Sequence, residues 1–192
     1  MKTLFISTFH NFVVIGLLKD GKVLVEKEIS SNQSHSIHLI PTIEEVLKSQ
    51  NILIEETSSI IVINGPGSFT GVRLGVTVAK TLAFTLNIEI KTITSIEAIA
   101  LSSDVSKKIV LVPDAKGAYY GIFENNILCD DIKYLNTIEL ESFLKSKEEY
   151  KVIDDVKLNL VLIYDYLKNK NSTNAHSVNP IYIKNIEVLN GN

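Results

Sequence analysis

Hydrophobic and polar residues form short alternating runs over the first thirty positions, and these runs predict three β-strands. In the third run, Val23 and Val25 point to one side and Glu26 to the other, the period of two that a strand with one buried face requires. The pair Asp20-Gly21 just before it is typical of a tight hairpin turn. The three predicted strands span residues 4–8, 12–18 and 22–29.

The pattern then changes to a mixture of helical and strand periods. Apolar residues three and four apart predict a helix over 34–50, which Pro41 should kink or cause to start late. The further predicted strands lie at 60–63, 88–92, 108–113, 118–124 and 152–153, and the further helices at 72–86, 95–101, 137–145 and 158–167. Strands that precede a series of alternating helices and strands indicate an α/β fold with a mixed sheet.

Composition favours a folded cytoplasmic protein whose excess of apolar residues goes into a core, an interface, or both. Of the 192 residues, 45% are hydrophobic and 21% are charged, and the mean hydropathy is +0.19. The net charge of −3 provides no overall positive field that would attract RNA. No apolar run reaches the roughly 18–20 residues of a membrane span. The single cysteine, Cys129, excludes an internal disulfide and fits a reducing compartment.

A glycine-rich segment between a predicted strand and a predicted helix is the most informative part of the chain. Backbone N–H groups at such a place can bind phosphate. The segment matches neither the dinucleotide fingerprint nor the P-loop, and Pro66 removes one donor. A ligand loop and a plain tight turn with Ser68 or Thr70 as helix N-cap both remain open. The candidate loop residues are Gly65, Pro66, Gly67, Ser68, Phe69, Thr70, Gly71 and Arg73.

The helix predicted after this loop carries Gly or Ala at every fourth position from residue 71 to residue 83. A stripe of small residues lets another helix or a sheet approach closely, and the other sides of the helix are also largely apolar. We expect one side to meet another chain, and a bare surface of this kind should cause homodimerisation. The alternative is a sandwich between the chain's own sheet and the 34–50 helix. The expected partner interface comprises Ile37, Ile40, Val72, Gly75, Val76, Ala79, Lys80 and Ala83.

The run Gly-Pro-Gly-Ser-Phe-Thr-Gly-Val-Arg-Leu-Gly at 65–75, followed by Ala-Lys-x-Leu-Ala at 79–83, resembles the TsaB (YeaZ) family. These proteins are partner subunits of the bacterial synthase that makes threonylcarbamoyladenosine in tRNA. The motifs at 35–41, 113–120 and 180–184 are similar to further family patterns. Between about residues 124 and 177 no similarity is visible, and this region is shorter than usual.

The resemblance implies an actin-like ATPase (RNase H-like) fold of two lobes with mixed sheets. We expect an N-terminal lobe over residues 1–103 and a reduced C-terminal lobe over 104–192. The resemblance also implies a heterodimer with a TsaD-type catalytic subunit, a paralogue of the same fold, and a TsaE-type ATPase in the larger complex. Contact with tRNA would be indirect. In the family, the glycine-loop lobes of the two paralogues meet through their helices.

The same resemblance implies that the chain is not itself an enzyme. The catalytic paralogue carries His-x-x-x-His metal ligands where this chain has Ser95 and Ile99, and Ile99 cannot bind a metal. An aspartate that holds metal-bound phosphate in this fold is replaced by Ser7. We therefore expect no catalytic residue, no metal and no cofactor.

Three weaker candidates and two other functions complete the sequence-based interpretation. His35 and His38 could share a helix face as metal ligands but are better explained as polar helix residues. Asp114 is either a phosphate-site relic or a strand-end residue that binds backbone amides. A small ATPase or phosphotransferase of the same fold is one alternative function. A peptidase that acts on the partner is the other, although no nucleophile–base pair supports it.

Overall fold

The computed structural model describes residues 1–31 and 34–183, and it contains two mixed β-sheets. The first sheet has the strand order β3-β2-β1-β4-β5. Strands β1, β2 and β3 form an antiparallel meander, while β4 pairs parallel to β1 and β5 parallel to β4. The strands are β1 (Lys2–Ser7), β2 (Phe12–Lys19), β3 (Lys22–Ser30), β4 (Ser59–Ile63) and β5 (Glu89–Ile93).

Two helices cover the first sheet, and each begins close to its predicted position. Helix α1 (His35–Ser49) contacts β2 and β3, and helix α2 (Phe69–Leu86) contacts β4, β5 and β1. The two helices also contact each other. Pro41 lies within α1, which begins at His35 and runs over 15 residues. Of the two effects expected of Pro41, a kink or a late start, the late start is therefore wrong. A 3-10 turn, Ile54–Glu56, was not predicted.

The second sheet is smaller and was predicted less completely. Its strand order is β10-β6-β7-β8, and β9 pairs with β7 beside this path. The strands are β6 (Lys107–Asp114), β7 (Gly117–Glu124), β8 (Ile127–Leu128), β9 (Lys133–Asn136) and β10 (Lys151–Ile153). Strands β8 and β9 were not predicted. Helix α4 (Thr137–Lys145) contacts β7 and β9.

Helices α3 (Ser95–Ser102) and α5 (Leu160–Leu167) join the two sheets. Helix α3 contacts β6 and β7 of the second sheet, and α5 contacts both α3 and β3 of the first. The main core therefore continues from the first sheet to residues of the second, such as Val110 and Phe123. The expected fold class is confirmed. The lobe boundary at residues 103 and 104 stays a prediction.

A fully buried lysine closes the junction between α3 and the second sheet. Lys108 is completely inaccessible to solvent, and its Nζ donates to the carbonyl oxygens of Ala100 and Ser103 at 2.6 and 2.7 Å and to Asn126 Oδ1 at 2.6 Å. Burial lowers the pKa of Lys108. All three ammonium hydrogens have acceptors, so the group can remain charged inside the protein.

Candidate functional site

The glycine-rich loop connects β4 to α2 and is held by contacts within the chain. The Gly65–Pro66 peptide bond is cis, and Gly65 has φ = 100°, a conformation that side-chain-bearing residues rarely adopt. Ser68 is the N-cap of α2, since its Oγ accepts from the backbone N–H of Gly71 at 3.3 Å. The Ser68 N–H donates to the carbonyl of Phe9 at 2.7 Å. Two N–H groups that could have bound phosphate are thus used inside the chain, which favours the tight-turn interpretation of the loop.

The first residue of α3 fixes the other side of this loop. Ser95 is fully buried, its Oγ donates to the Pro66 carbonyl at 2.5 Å, and its N–H donates to the Gly65 carbonyl at 2.9 Å. Ile99, one turn later, belongs to the main core. The two positions that the family resemblance matched to metal ligands therefore have structural roles here. Across residues 1–31 and 34–183, no three His, Cys, Asp or Glu side chains are grouped so that they could hold a metal ion.

The small-residue stripe of α2 faces the first sheet. A Cβ atom added at Gly71 would lie 2.2 Å from the Thr8 carbonyl oxygen, and one added at Gly75 would lie 2.2 Å from Thr8 Oγ1. Thr8 Oγ1 itself donates to the Gly71 carbonyl at 2.7 Å. Glycine is therefore required at both positions, because the β1–β2 turn crosses α2 at van der Waals contact.

This packing corrects most of the interface expected from the sequence. The stripe and its apolar neighbours are buried inside the protomer, and Ala79 has no exposed surface at all. A side chain that the chain's own sheet already covers cannot also contact a partner. The residues that were expected at the interface but are buried in the core are Val72, Gly75, Val76, Ala79 and Ala83.

Two of the predicted interface residues remain on the surface. Ile37 and Ile40 of α1 are 66% and 45% exposed. On α2, Leu74 and Val78 are half-buried and pack against the main core, with the rest of their surface open to solvent. These four residues are called the α1–α2 face below. Since α1 and α2 contact each other, they provide apolar surface on two adjacent helices.

A segment late in the chain lies along another side of α2. Lys80 Nζ donates to the carbonyl oxygens of His176 and Val178 at 3.3 and 3.1 Å. Near the start of the helix, Arg73 stacks 3.6 Å from the Phe69 ring, and its Nε donates to the Tyr182 hydroxyl at 2.7 Å. The predicted interface residue Lys80 therefore anchors the 175–183 segment. Lys184, the last residue of the 180–184 motif, lies outside the described residues.

The β1–β2 turn, the glycine-rich loop and the β6–β7 turn border a cleft of about 1080 Å³. Phe9, His10 and Lys116 are among its lining residues. Asp114 is exposed at the β6–β7 turn, and its Oδ1 accepts from the Ala115 N–H at 2.7 Å. Asp114 is thus a strand-end residue bound to a backbone amide, one of the two roles that the sequence left open.

One histidine of the α1 pair, His35, is held by contacts within the chain. His35 is buried, and its Nε2 lies 2.6 Å from the carbonyl oxygen of His10 and 3.2 Å from Ser31 Oγ. The ring joins the start of α1 to the β1–β2 turn. His35 therefore has a structural role, as a buried link rather than as the simple polar helix residue that the sequence favoured.

Proteins named TsaB share sequence with this chain. The chain is 38% identical over 100 residues to a tRNA threonylcarbamoyladenosine biosynthesis protein TsaB from Bacillus subtilis, a match that covers 52% of this chain and 44% of the relative. It is 30% identical over 83 residues to the TsaB protein of Escherichia coli, a match that covers 43% of this chain and 36% of that protein. The chain thus matches less than half of the length of these relatives.

A family model described as tRNA N6-adenosine threonylcarbamoyltransferase (TsaD) matches residues 22–132, more than half of the chain. The chain belongs to this family, among its TsaB (YeaZ) members. The solved structure of YeaZ from Pseudomonas aeruginosa superposes with a TM-score of 0.78 at 15% identity, over 94% of this chain and all of that one. A second Pseudomonas aeruginosa structure, described as similar to peptidase YEAZ, superposes with a TM-score of 0.79 at 15% identity and covers 95% and 99%. The TsaB fold therefore extends over both sheets, including the region where no sequence similarity was visible. Within the described residues, no helix has the length and apolarity needed to span a bilayer.

Proposed function

We propose that this chain is the non-catalytic partner subunit of a complex that adds a threonylcarbamoyl group to the adenosine 3′ of the anticodon in tRNA. Support comes from its TsaB relatives, whose names assign them to threonylcarbamoyladenosine biosynthesis. Because such a complex acts on tRNA in the cytoplasm, this chain would be a cytoplasmic protein. The partners would be a TsaD-type catalytic subunit and a TsaE-type ATPase, with tRNA contacted indirectly.

The main support for a non-catalytic role is that Ser95 and Ile99, the positions matched to metal ligands, are used for packing inside this chain. Ser95 donates both of its hydrogen bonds to the glycine-rich loop, and Ile99 lies in the core. Neither side chain is available to a metal ion or a substrate. Ser7, at the position of the phosphate-site aspartate of this fold, is a neutral residue with 1% exposure. Metal-assisted transfer would therefore depend on the partner.

The surface proposed for this partner is the α1–α2 face. Ile37 and Ile40 expose apolar side chains on α1, and Leu74 and Val78 add half-buried surface on α2. A specific complex buries about 1,600 Å² in total, and apolar side chains near its centre provide much of the binding energy. The same face would pair two copies of the isolated chain, because an uncovered apolar face favours self-association.

Co-expression with a TsaD-type subunit tests this proposal. The two chains should co-purify as a stable heterodimer, and the isolated chain should elute as a homodimer that the TsaD-type subunit converts into the heterodimer. Failure of the two folded chains to associate at micromolar concentration would contradict the assignment. Calorimetric titration with ATP and Mg²⁺ distinguishes the proposed subunit from the alternative function, a small ATPase of the same fold. Such an ATPase would bind the nucleotide, and the proposed subunit would not.

A further inference from the structure

One side of α2 carries aromatic and cationic side chains that have no part in the proposed function. At 3.6 residues per turn, these side chains fall within about 60° of one another around the helix axis. Leu74 and Val78 of the α1–α2 face lie at least about 80° further round the helix. Covering the α1–α2 face therefore leaves this side of α2 open. Its four residues are Phe69, Arg73, Lys80 and Phe84.

The 175–183 segment adds two more rings to the same surface. The His176 ring lies edge-on to Phe84 with ring centroids 4.7 Å apart, and the Tyr182 ring lies 6.3 Å from Phe69 at the other end. Between the two ends, Lys80 holds the segment through its carbonyl contacts. From residue 69 to residue 84 the helix rises by about 22 Å. These six residues are called the α2 strip: Phe69, Arg73, Lys80, Phe84, His176 and Tyr182.

Both elements that form the α2 strip lack acidic residues. Neither α2 nor the run 166–183 contains Asp or Glu, although the chain has 22 of them. Arg73 and Lys80 form no ion pair with any residue that the structure describes. Their positive charges are therefore not neutralised by a carboxylate within the described chain.

Further cations lie where this run begins. Lys91 Nζ donates to two carbonyl oxygens at the end of α5 at 3.0 and 2.9 Å. Neither Lys91 nor Lys170 forms an ion pair among residues 1–31 and 34–183. The carboxylates beside them are Glu89, two residues before Lys91, and Asp165, which pairs with Lys168 at 2.9 Å. Charges are screened over about 8–10 Å, so this local excess of cations attracts an anion despite the net charge of −3.

The aromatic rings of the α2 strip indicate which anion fits. Phe84, Phe69 and Tyr182 are 63%, 56% and 54% exposed. Unpaired bases of a nucleic-acid strand stack on such rings while its phosphates bind cations. An acidic peptide would use the cations and leave the rings uncovered. Cations and exposed rings along one strip therefore favour a single-stranded nucleic acid over an acidic protein.

We propose that the α2 strip binds a single-stranded segment of RNA. Phosphate groups would lie at Arg73, Lys91 and Lys170, and bases would stack on Phe84 and Tyr182. This inference rests on the proposed function, in which the RNA is the tRNA substrate. It adds a direct contact by this chain to the indirect one assumed above.

Fluorescence anisotropy of a labelled RNA strand of about 12 nucleotides, titrated with the full chain, tests the proposal. We expect saturable binding at micromolar chain concentrations in about 0.1 M KCl, with a slope of about −3 for log K against log[KCl], as four phosphate contacts on a single strand produce. The same strand in a duplex should bind at least about fivefold more weakly, because paired bases cannot stack on the exposed rings.

Two variants separate the stacking from the charge. Phe84→Leu keeps an apolar side chain but removes the ring, and it should weaken binding at least about fivefold. Lys170→Gln should reduce the salt slope by about 0.7, the share of one phosphate contact. The matched control is Lys145→Gln on α4, which removes an exposed lysine that also forms no ion pair within the described residues. It should leave both the affinity and the salt slope unchanged.

Three results would overturn the proposal. The first is no saturable binding at about 0.1 mM chain. The second is displacement of the RNA by poly-L-glutamate as effectively as by unlabelled RNA, which would indicate an acidic protein partner instead. The third is an equal effect of Lys145→Gln and Lys170→Gln. The titration needs no TsaD-type subunit, so a negative result would leave the co-purification test of the proposed function unaffected.

Discussion

Replacement of the two exposed isoleucines of α1 by glutamine should break the complex with the TsaD-type subunit without unfolding the chain. Complete burial of an isoleucine side chain contributes about 1.5–3 kcal/mol. Ile37 and Ile40 still expose 66% and 45% of their surface, so covering both should contribute about 2–3 kcal/mol. This corresponds to an increase of about 30- to 140-fold in the dissociation constant for Ile37→Gln/Ile40→Gln.

The stability of the chain itself should hardly change. Both side chains already contact water in the free chain, and glutamine is a good helix former. Exposed substitutions of this kind change stability by about 0.5 kcal/mol or less, so the melting temperature should stay within about 2 °C. Equilibrium binding to an immobilised TsaD-type subunit gives the affinity, and thermal melting gives the stability.

The matched control is Ile138→Gln on α4. Ile138 is 80% exposed and lies on the second sheet's helix, away from the α1–α2 face. Its replacement removes the same apolar group without touching the proposed interface, so binding should be unchanged. The assignment of the α1–α2 face as the interface would be refuted if Ile138→Gln weakened binding to the TsaD-type subunit as much as the double variant does. It would also be refuted if the double variant bound as tightly as the unchanged chain.

Three further outcomes follow from the same structure. Ala79→Arg should give an unfolded or aggregated chain, because Ala79 has no exposed surface, whereas Thr77→Arg on the exposed side of α2 should fold. Size-exclusion chromatography and thermal melting distinguish the two variants, and a soluble, folded Ala79→Arg chain would contradict the packing. Lys108→Met should lower the free energy of unfolding by about 3 kcal/mol in urea titration, because it removes three hydrogen bonds donated by a charged group, and a loss below 1 kcal/mol would exclude that role. Asp114→Ala should leave the threonylcarbamoyl-transfer activity of the assembled complex within about twofold of that with the unchanged chain, since the Asp114 carboxylate binds a local amide. A large loss of this activity would give Asp114 a direct role.

The first sheet and its helices could be predicted because their local signals agree. Alternation predicted β3 at 22–29, and it spans Lys22–Ser30; helical spacing predicted α1 at 34–50, and it spans His35–Ser49. The strands β8 and β9 have two and four residues, which is too short for a period to be recognised. They are held by pairing with β7, a tertiary interaction that carries no local signal.

The candidate interface was only partly predictable for a related reason. Small residues on α2 show that something approaches closely, but they do not show whether it belongs to the same chain. Here it is the β1–β2 turn, through Thr8. The contact between Lys80 and the 175–183 segment was also not predictable from a local pattern, because Lys80 binds backbone carbonyls that any residue could supply. Helical spacing grouped Ile37 and Ile40 with Ile43 and Val46, but the structure exposes the first pair and buries the second. The place of Ile37 and Ile40 in an interface stays a prediction.

The most direct test of the central proposal is a threonylcarbamoyl-transfer assay that reconstitutes the TsaD-type and TsaE-type subunits with and without this chain. The proposed role predicts threonylcarbamoyladenosine in tRNA only when the chain is present, and a strongly reduced yield at limiting concentrations of Ile37→Gln/Ile40→Gln. Full transfer by the other two subunits in the absence of this chain would contradict it.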